Sequence, residues 1–309
     1  MARYQLGQVN ADGSPATTDR GKAVRPTLCL LMCEALGGDL AAALPAAAGL
    51  ELLHNFTLVH DDVMDDDETR RHRPTVWVVW GRAQAIDAGD LLHVLATLSV
   101  LRSGGNGLSA TLAKDAAEVV TEGCRRVTEG QHLDIAFETA PNVGVAEYLD
   151  MIARKSAALL AVAFELGAIF ADNDPATRAA CRAYGRELGI VFQIRDDVLG
   201  IWGDPAVTGK PVGADIQKRK KTLPIIHALE AAEGPDRARL RSMFIDERGP
   251  PDVESTMTIL ERTGSRDFTE NEIRKRANLA CQALARLPVN AWGRRNLEAV
   301  ATYIATRDR

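Results

Sequence analysis

An apolar helical run ending in paired aspartates occurs twice in this chain, and that repeat limits what the chain can become. The first copy is Leu58-Val59-His60-Asp61-Asp62-Val63-Met64-Asp65, and the second is Val191-Phe192-Gln193-Ile194-Arg195-Asp196-Asp197-Val198-Leu199-Gly200. In the first copy the acids continue: six fall within residues 61–68, and Arg70, Arg71 and Arg73 follow. A solvated helix interleaves opposite charges at i,i+4; here they are segregated into blocks. On a helix, Asp61 and Asp65 share one face a turn apart, with Asp62 beside them. Such like charges repel unless a hard cation takes their oxygens, and Mg²⁺ shares carboxylate oxygens with phosphate. The planar donor fork of arginine suits phosphate as well. The block reads as a site for a diphosphate held by Mg²⁺. Two Asp-Asp helices facing one another across a bundle would form a metal clamp.

Around these motifs the pattern is helical. Apolar residues recur at three- and four-residue steps in 27–36, 43–60, 84–101, 108–127, 148–170, 176–199 and 222–232. Between them lie breakers such as Gly37-Gly38-Asp39, Ser103 to Gly107, Ala140-Pro141-Asn142 and Gly249-Pro250-Pro251. Asp172 to Pro175 and Asp252 to Glu254 supply helix starts. Val76-Trp77-Val78-Val79-Trp80 has strand composition but stands alone among helices, and reads as helix continuation or loop edge. No linker is long enough to divide the chain, so one domain over 1–309 is expected. At 309 residues and 46% hydrophobic it can bury a large core. A net charge of −5 argues against a nucleic-acid partner. Cys29 and Cys33, a turn apart in an apolar run, suit core packing, and the five scattered cysteines suit a reducing cytoplasm. There is no leader pattern, and no apolar stretch reaches the roughly 20 residues of a membrane span.

The chain resembles the trans-prenyltransferases of the polyprenyl diphosphate synthase family, in detail the actinobacterial short-chain geranylgeranyl diphosphate synthases. The matching motifs run in family order: Gly21 to Pro26, His54 to Asp65, Arg70 to Thr75, Ala88-Gly89-Asp90, Gln131 with Asp134, Lys155-Ser156, Phe192 to Asp197, Gly209-Lys210, and Lys220-Lys221-Thr222-Leu223-Pro224. The resemblance implies an all-α bundle of ten or more helices around a deep central cavity. It also implies condensation of isopentenyl diphosphate with an allylic diphosphate (dimethylallyl, geranyl or farnesyl), and usually a homodimer.

On that resemblance, Asp61, Asp62, Asp65, Asp196 and Asp197 would hold Mg²⁺. Arg70 would bind the allylic diphosphate, with Lys155, Lys210 and Lys220 closing around it. Gln193 and Ser156 would orient the substrate or stabilise positive charge by their dipoles. Lys22, Arg25, His54 and Arg71 would bind isopentenyl diphosphate without metal. Phe56, five positions before Asp61 and about 7.5 Å along the helix, would be the floor that limits chain length, with the small Thr57 beside it. An aromatic there resembles short-chain members, so geranylgeranyl diphosphate (C20) is the expected product and farnesyl diphosphate (C15) the next. His60 and His72 read as local hydrogen-bonders, and Arg73 as a partner of the acidic run.

Two positions depart from the family pattern. Ala23 stands where arginine is common, and Gly200 replaces the third aspartate of the second motif, with Asp204 one turn later. Two other readings stay open: a class I terpene cyclase on the same fold, and a non-catalytic partner subunit of a prenyltransferase. The cyclase does not need Lys22, Arg25, His54 and Arg71. The partner subunit would be expected to lose the first aspartate motif, which is complete here.

Overall fold

The computed structural model describes residues 1–16, 21–105, 110–209, 211–246 and 249–308. Among the described residues there are sixteen α-helices and one sheet, the two-stranded hairpin Thr69–Arg70 with Arg73–Pro74. The all-α class expected from periodicity is the class observed. The helices gather into two compact units. One comprises Met1–Cys124, Val162–Ala179 and Pro288–Gly293; the other comprises Arg125–Ala161, Ala180–Leu287 and Arg294–Arg309.

In the first unit the Leu40–Met64 helix packs along the Arg82–Leu101 helix. Asp39 starts the former by accepting the Ala41 N–H at 2.9 Å. Glycines set the closeness of the pair. A Cβ on Gly49 would come within 2.7 Å of Val100, and one on Gly89 within 2.3 Å of the His60 ring. Leu50, Leu53, Val59, Leu92, Ala96 and Val100 fill the seam. Cys29 and Cys33 are buried on the Val24–Ala35 helix, as their spacing suggests. By length and composition alone the Leu40–Met64 and Arg82–Leu101 helices could cross a membrane, which corrects the reading of the apolar stretches. The charged ends of the first and the glycine-mediated seam between them suit paired core helices equally.

The apolar run expected over 148–170 is broken. The Val145–Lys155 helix ends at Ser156, and a new helix, Ala158–Ile169, begins two residues later. The Pro175–Trp202 helix starts where Asp174 accepts the Thr177 N–H at 2.8 Å, and Asp252 caps Val253–Arg262. Val76–Trp80 is a short helix, not a strand. Four C-terminal helices, Gly234–Phe244, Val253–Arg262, Ser265–Ala285 and Ala291–Thr306, were not among the apolar runs.

Candidate active site

The first aspartate motif closes the Leu40–Met64 helix. Asp61 and Asp62 lie in its last turn, and Asp65 is its C-cap, its N–H donating to the Asp61 carbonyl at 2.8 Å. A helix C-terminus carries partial negative charge, so three carboxylates there compound one another and favour a cation. Asp62 is 1% exposed. Its Oδ1 accepts Arg70 Nε–H at 2.5 Å, while Oδ2 is buried and has no hydrogen-bond partner among the described residues. Burial pushes the Asp62 carboxyl up to about 6 against the pull of Arg70. A carboxylate so short of positive charge, with one oxygen unspoken for, fits a divalent metal. The flanking acids have other work: Asp66 pairs with Arg82, and Asp67 lies 3.7 Å from Arg70 while its carbonyl accepts Thr75 and Trp77.

The arginines are delivered by the hairpin. Arg71 and His72 form its two-residue turn, both left-handed at φ 51° and 59°. Such turns usually use asparagine and glycine, so this one holds non-glycine residues in a costly conformation. Tyr4 anchors it by donating its hydroxyl to Pro74 O at 2.8 Å. Arg73 is held on the N-terminal segment. It donates to Val9 O at 2.9 Å and lies over the Tyr4 ring. The Arg71 guanidinium lies against Gly21, where a Cβ would come within 2.6 Å.

Arg25, Arg71 and His54 are thereby brought together, with the exposed Lys22 beside Gly21. His54 is not a cation: burial, then the nearby Arg25, Arg71 and Arg70, holds its ring well below the ordinary histidine value. Burial lowers Arg25 to about 10, which leaves it charged at neutral pH. Glu51, one turn before His54 and absent from the sequence expectations, faces Arg25 and Arg71 and is held by Asn55. Phe56 stacks on His93 (5.0 Å between centroids) and meets His60 edge-on at 4.8 Å. Thr57 turns its hydroxyl back to the His54 carbonyl at 2.8 Å. His60 bonds Ile86 O, as a local hydrogen-bonder should.

The second motif is built differently. Asp197 is 3% exposed and fully engaged. Its Oδ2 accepts the Tyr148 hydroxyl at 2.6 Å and the Leu223 N–H at 3.1 Å, and its Oδ1 accepts Gln193 Nε2–H at 3.2 Å. Burial still pushes it up to about 7. Gln193 in turn accepts the Ser156 hydroxyl at 2.7 Å. Glycine makes that bond reachable: a Cβ on Gly189, one turn before Gln193, would fall 2.5 Å from Ala157 Cα. So Ser156, Gln193, Asp197 and Tyr148 form one chain of hydrogen bonds, and Asp197 positions rather than presents.

Asp196 points elsewhere, to Arg307 at 2.5 Å, whose guanidinium lies over the Phe192 ring. Lys155 pairs with Asp134, placed by Gly130, where a Cβ would sit 2.2 Å from the Lys155 nitrogen. Lys220 is exposed, whereas Lys221 caps the Ala110–Thr139 helix end through the carbonyls of Phe137, Glu138 and Ala140. Asp204 caps the Pro205–Thr208 helix. Lys210 lies outside the described residues.

A family profile described as Polyprenyl synthetase matches residues 13–261. The chain belongs to the polyprenyl synthetase family. It is 39% identical to the (2E,6E)-farnesyl diphosphate synthase of Mycobacterium tuberculosis, over 99% of this chain and 85% of that protein. It is 48% identical to the geranylgeranyl diphosphate synthase of the same organism, over 75% of this chain and 65% of that protein. The structure of a polyprenyl synthetase from Streptomyces coelicolor superposes with a TM-score of 0.91 at 38% identity, covering 99% of this chain and 91% of that one. Similar solved structures include complexes with isoprenyl diphosphate and magnesium or calcium. The prenyltransferase reading is borne out, with the all-α isoprenoid synthase fold.

Proposed function

We propose that the chain condenses isopentenyl diphosphate with an allylic diphosphate, with Mg²⁺, as one catalytic domain over 1–309, and makes geranylgeranyl diphosphate, with farnesyl diphosphate next. One observation carries the reading: Arg25 and Arg71, from neighbouring elements, gather at neutral His54, which lies on the same helix as the Asp61–Asp65 end. Seven residues separate His54 from Asp61, about 10 Å of helix rise, which is room for two diphosphates in separate places. A cyclase has no use for the second. Asp61, Asp62 and Asp65 would hold the metal, with Asp196 from the second motif. Bound there, the metal supplies the positive charge that a departing diphosphate needs.

The chain's own groups do the rest. Arg70, fixed on Asp62 through Nε, turns its remaining donors to the allylic diphosphate. Arg25, Arg71 and Lys22 bind the other diphosphate, and His54 donates a neutral N–H. Lys155 and Lys220 serve the allylic side, and Lys210 is proposed beside them. The Ser156–Gln193 pair fixes an amide dipole toward the allylic carbon as its C–O bond breaks. A new C–C bond forms to the isopentenyl alkene, and the proton that leaves goes to the released diphosphate. Phe56, backed by His93, is the floor. The 48% identity to the geranylgeranyl synthase, over 75% of the chain, is consistent with C20.

We also propose a homodimer, because the Arg82–Leu101 helix exposes an apolar stripe, and a cytoplasmic location, which the five scattered free cysteines suit. The test is incubation with Mg²⁺, isopentenyl diphosphate and each of the C5, C10 and C15 allylic diphosphates. Chain-extended diphosphates ending at C20 are expected. Hydrocarbon from the allylic substrate alone, or no turnover, would overturn the reading.

A further inference from the structure

The turn that carries Arg71 is held in a conformation its own residues disfavour. Arg71 and His72 are both left-handed, at φ 51° and 59°, and neither is glycine. A Cβ makes that backbone unfavourable. The ladder beneath the turn is short, pairing only Thr69 with Pro74 and Arg70 with Arg73, and a hairpin of that size does not hold itself. The support has to come from outside it.

The N-terminal segment supplies it. Arg73, the first residue after the turn, donates Nη2–H to Val9 O at 2.9 Å and Nη1–H to Tyr4 O at 3.4 Å. Its guanidinium lies 4.0 Å from the centre of the Tyr4 ring. The Tyr4 hydroxyl donates in return to Pro74 O at 2.8 Å. The anchor is itself fixed. Tyr4 is buried in an apolar cluster with Val59, Val76 and Leu92, and meets Trp80 edge-on at 4.9 Å. Val59 lies two residues before Asp61, so the first-motif helix and the hairpin share one footing. The segment also closes on itself, through Asn10 N–H to Ser14 O at 2.8 Å and Ala16 N–H to Gln8 O at 3.1 Å.

The two arginines depend on this support unequally. Arg70 is pinned from elsewhere, its Nε–H donating to the buried Asp62 carboxylate at 2.5 Å. Arg71 stands inside the left-handed turn, so its direction follows the turn's conformation.

We infer that Tyr4 and Arg73 are positioning residues, a clamp that enforces the left-handed turn and so aims Arg71 at isopentenyl diphosphate. The inference rests on the two-diphosphate reading above. It is tested on the full chain by steady-state kinetics in both substrates, and by amide hydrogen exchange over residues 68–75. Arg73→Gln is expected to raise the KM for isopentenyl diphosphate about tenfold, the scale of one hydrogen bond to a charged group, with kcat and the allylic KM little changed. Exchange over 68–75 should quicken while circular dichroism stays that of wild type. Tyr4→Phe keeps the ring and loses only the hydroxyl bond, so its KM should rise less. Glycine adopts the left-handed region without strain, so adding His72→Gly to Arg73→Gln should recover much of the lost KM. A wild-type KM in Arg73→Gln overturns the inference. An equal rise in both KM values, or no recovery with His72→Gly, shows a merely structural role and overturns it too. If the wild type condenses nothing, the two-diphosphate reading fails; unchanged exchange over 68–75 would instead remove the clamp, whatever the turnover.

Discussion

His54 shows how an arginine-rich pocket constrains one side chain. Burial and three arginines keep its ring neutral in the folded protein, whereas an unfolded histidine titrates near the ordinary value of 6.5. Below that value the unfolded chain takes up a proton that the folded chain refuses. Stability is therefore retained above 6.5 and lost as pH falls, by at most about 1.4 kcal/mol per pH unit. His54→Gln removes that dependence: its melting temperature should fall less than wild type's between pH 7.5 and 5.5. Phe56 bears on product length instead of stability. Phe56→Ala opens the floor and should shift the main product beyond C20 by chromatography of dephosphorylated products; an unchanged spectrum would refute the floor. Asp61, Asp62 and Asp65 were legible in the sequence because the motif repeats and its charge block is local, whereas Arg25, His54 and Arg71 were legible only through the family resemblance. It did not reveal Glu51, His93, Tyr148 or Arg307, whose roles come from residues far away in the chain or in another element.

At the scale of elements, the functional side chains are placed by close backbone approach. Gly130 lets the Ala110–Thr139 helix cross the start of Lys155, and Gly189 lets Pro175–Trp202 cross at Ala157. Gly130→Ala drives a methyl group into backbone, which has no rotamer to yield. It should cost about 1–3 kcal/mol and lower the melting temperature. Lys155 should shift with it, so kcat should fall by more than the loss of folded protein measured by circular dichroism. Helix positions were legible wherever the apolar stripe is strong. The break at Ser156 was not, because Ala157 and its neighbours continue the apolar run; the interruption is imposed by packing on Gly189. Of the last four helices only the start of Val253–Arg262 was legible, at its Asp252 cap; the rest were missed because their sequences are rich in charge. The hairpin was hidden by an arginine and a histidine in a turn where asparagine and glycine are the usual signal.

On the whole-molecule scale, the feature that stands out is the surface of the Arg82–Leu101 helix. Leu91, Val94, Leu95, Leu98 and Leu101 form a stripe in which Val94 is 56% exposed. Continuous apolar surface of this kind marks an interaction face, and the proposed homodimer covers it. Val94→Lys with Leu98→Lys should convert a dimer to a monomer by light scattering while leaving circular dichroism unchanged; a wild type that is already monomeric would refute it. Composition could not separate this stripe from core, because both are leucine and valine at helical spacing.

The glycine at 200 also bears on how such a chain can change over time. An aspartate regained at 200 meets the Asp215 carboxylate at once. That contact is with the far end of a flexible side chain, so the Asp215 carboxylate can swing aside, and a longer motif lies one substitution away.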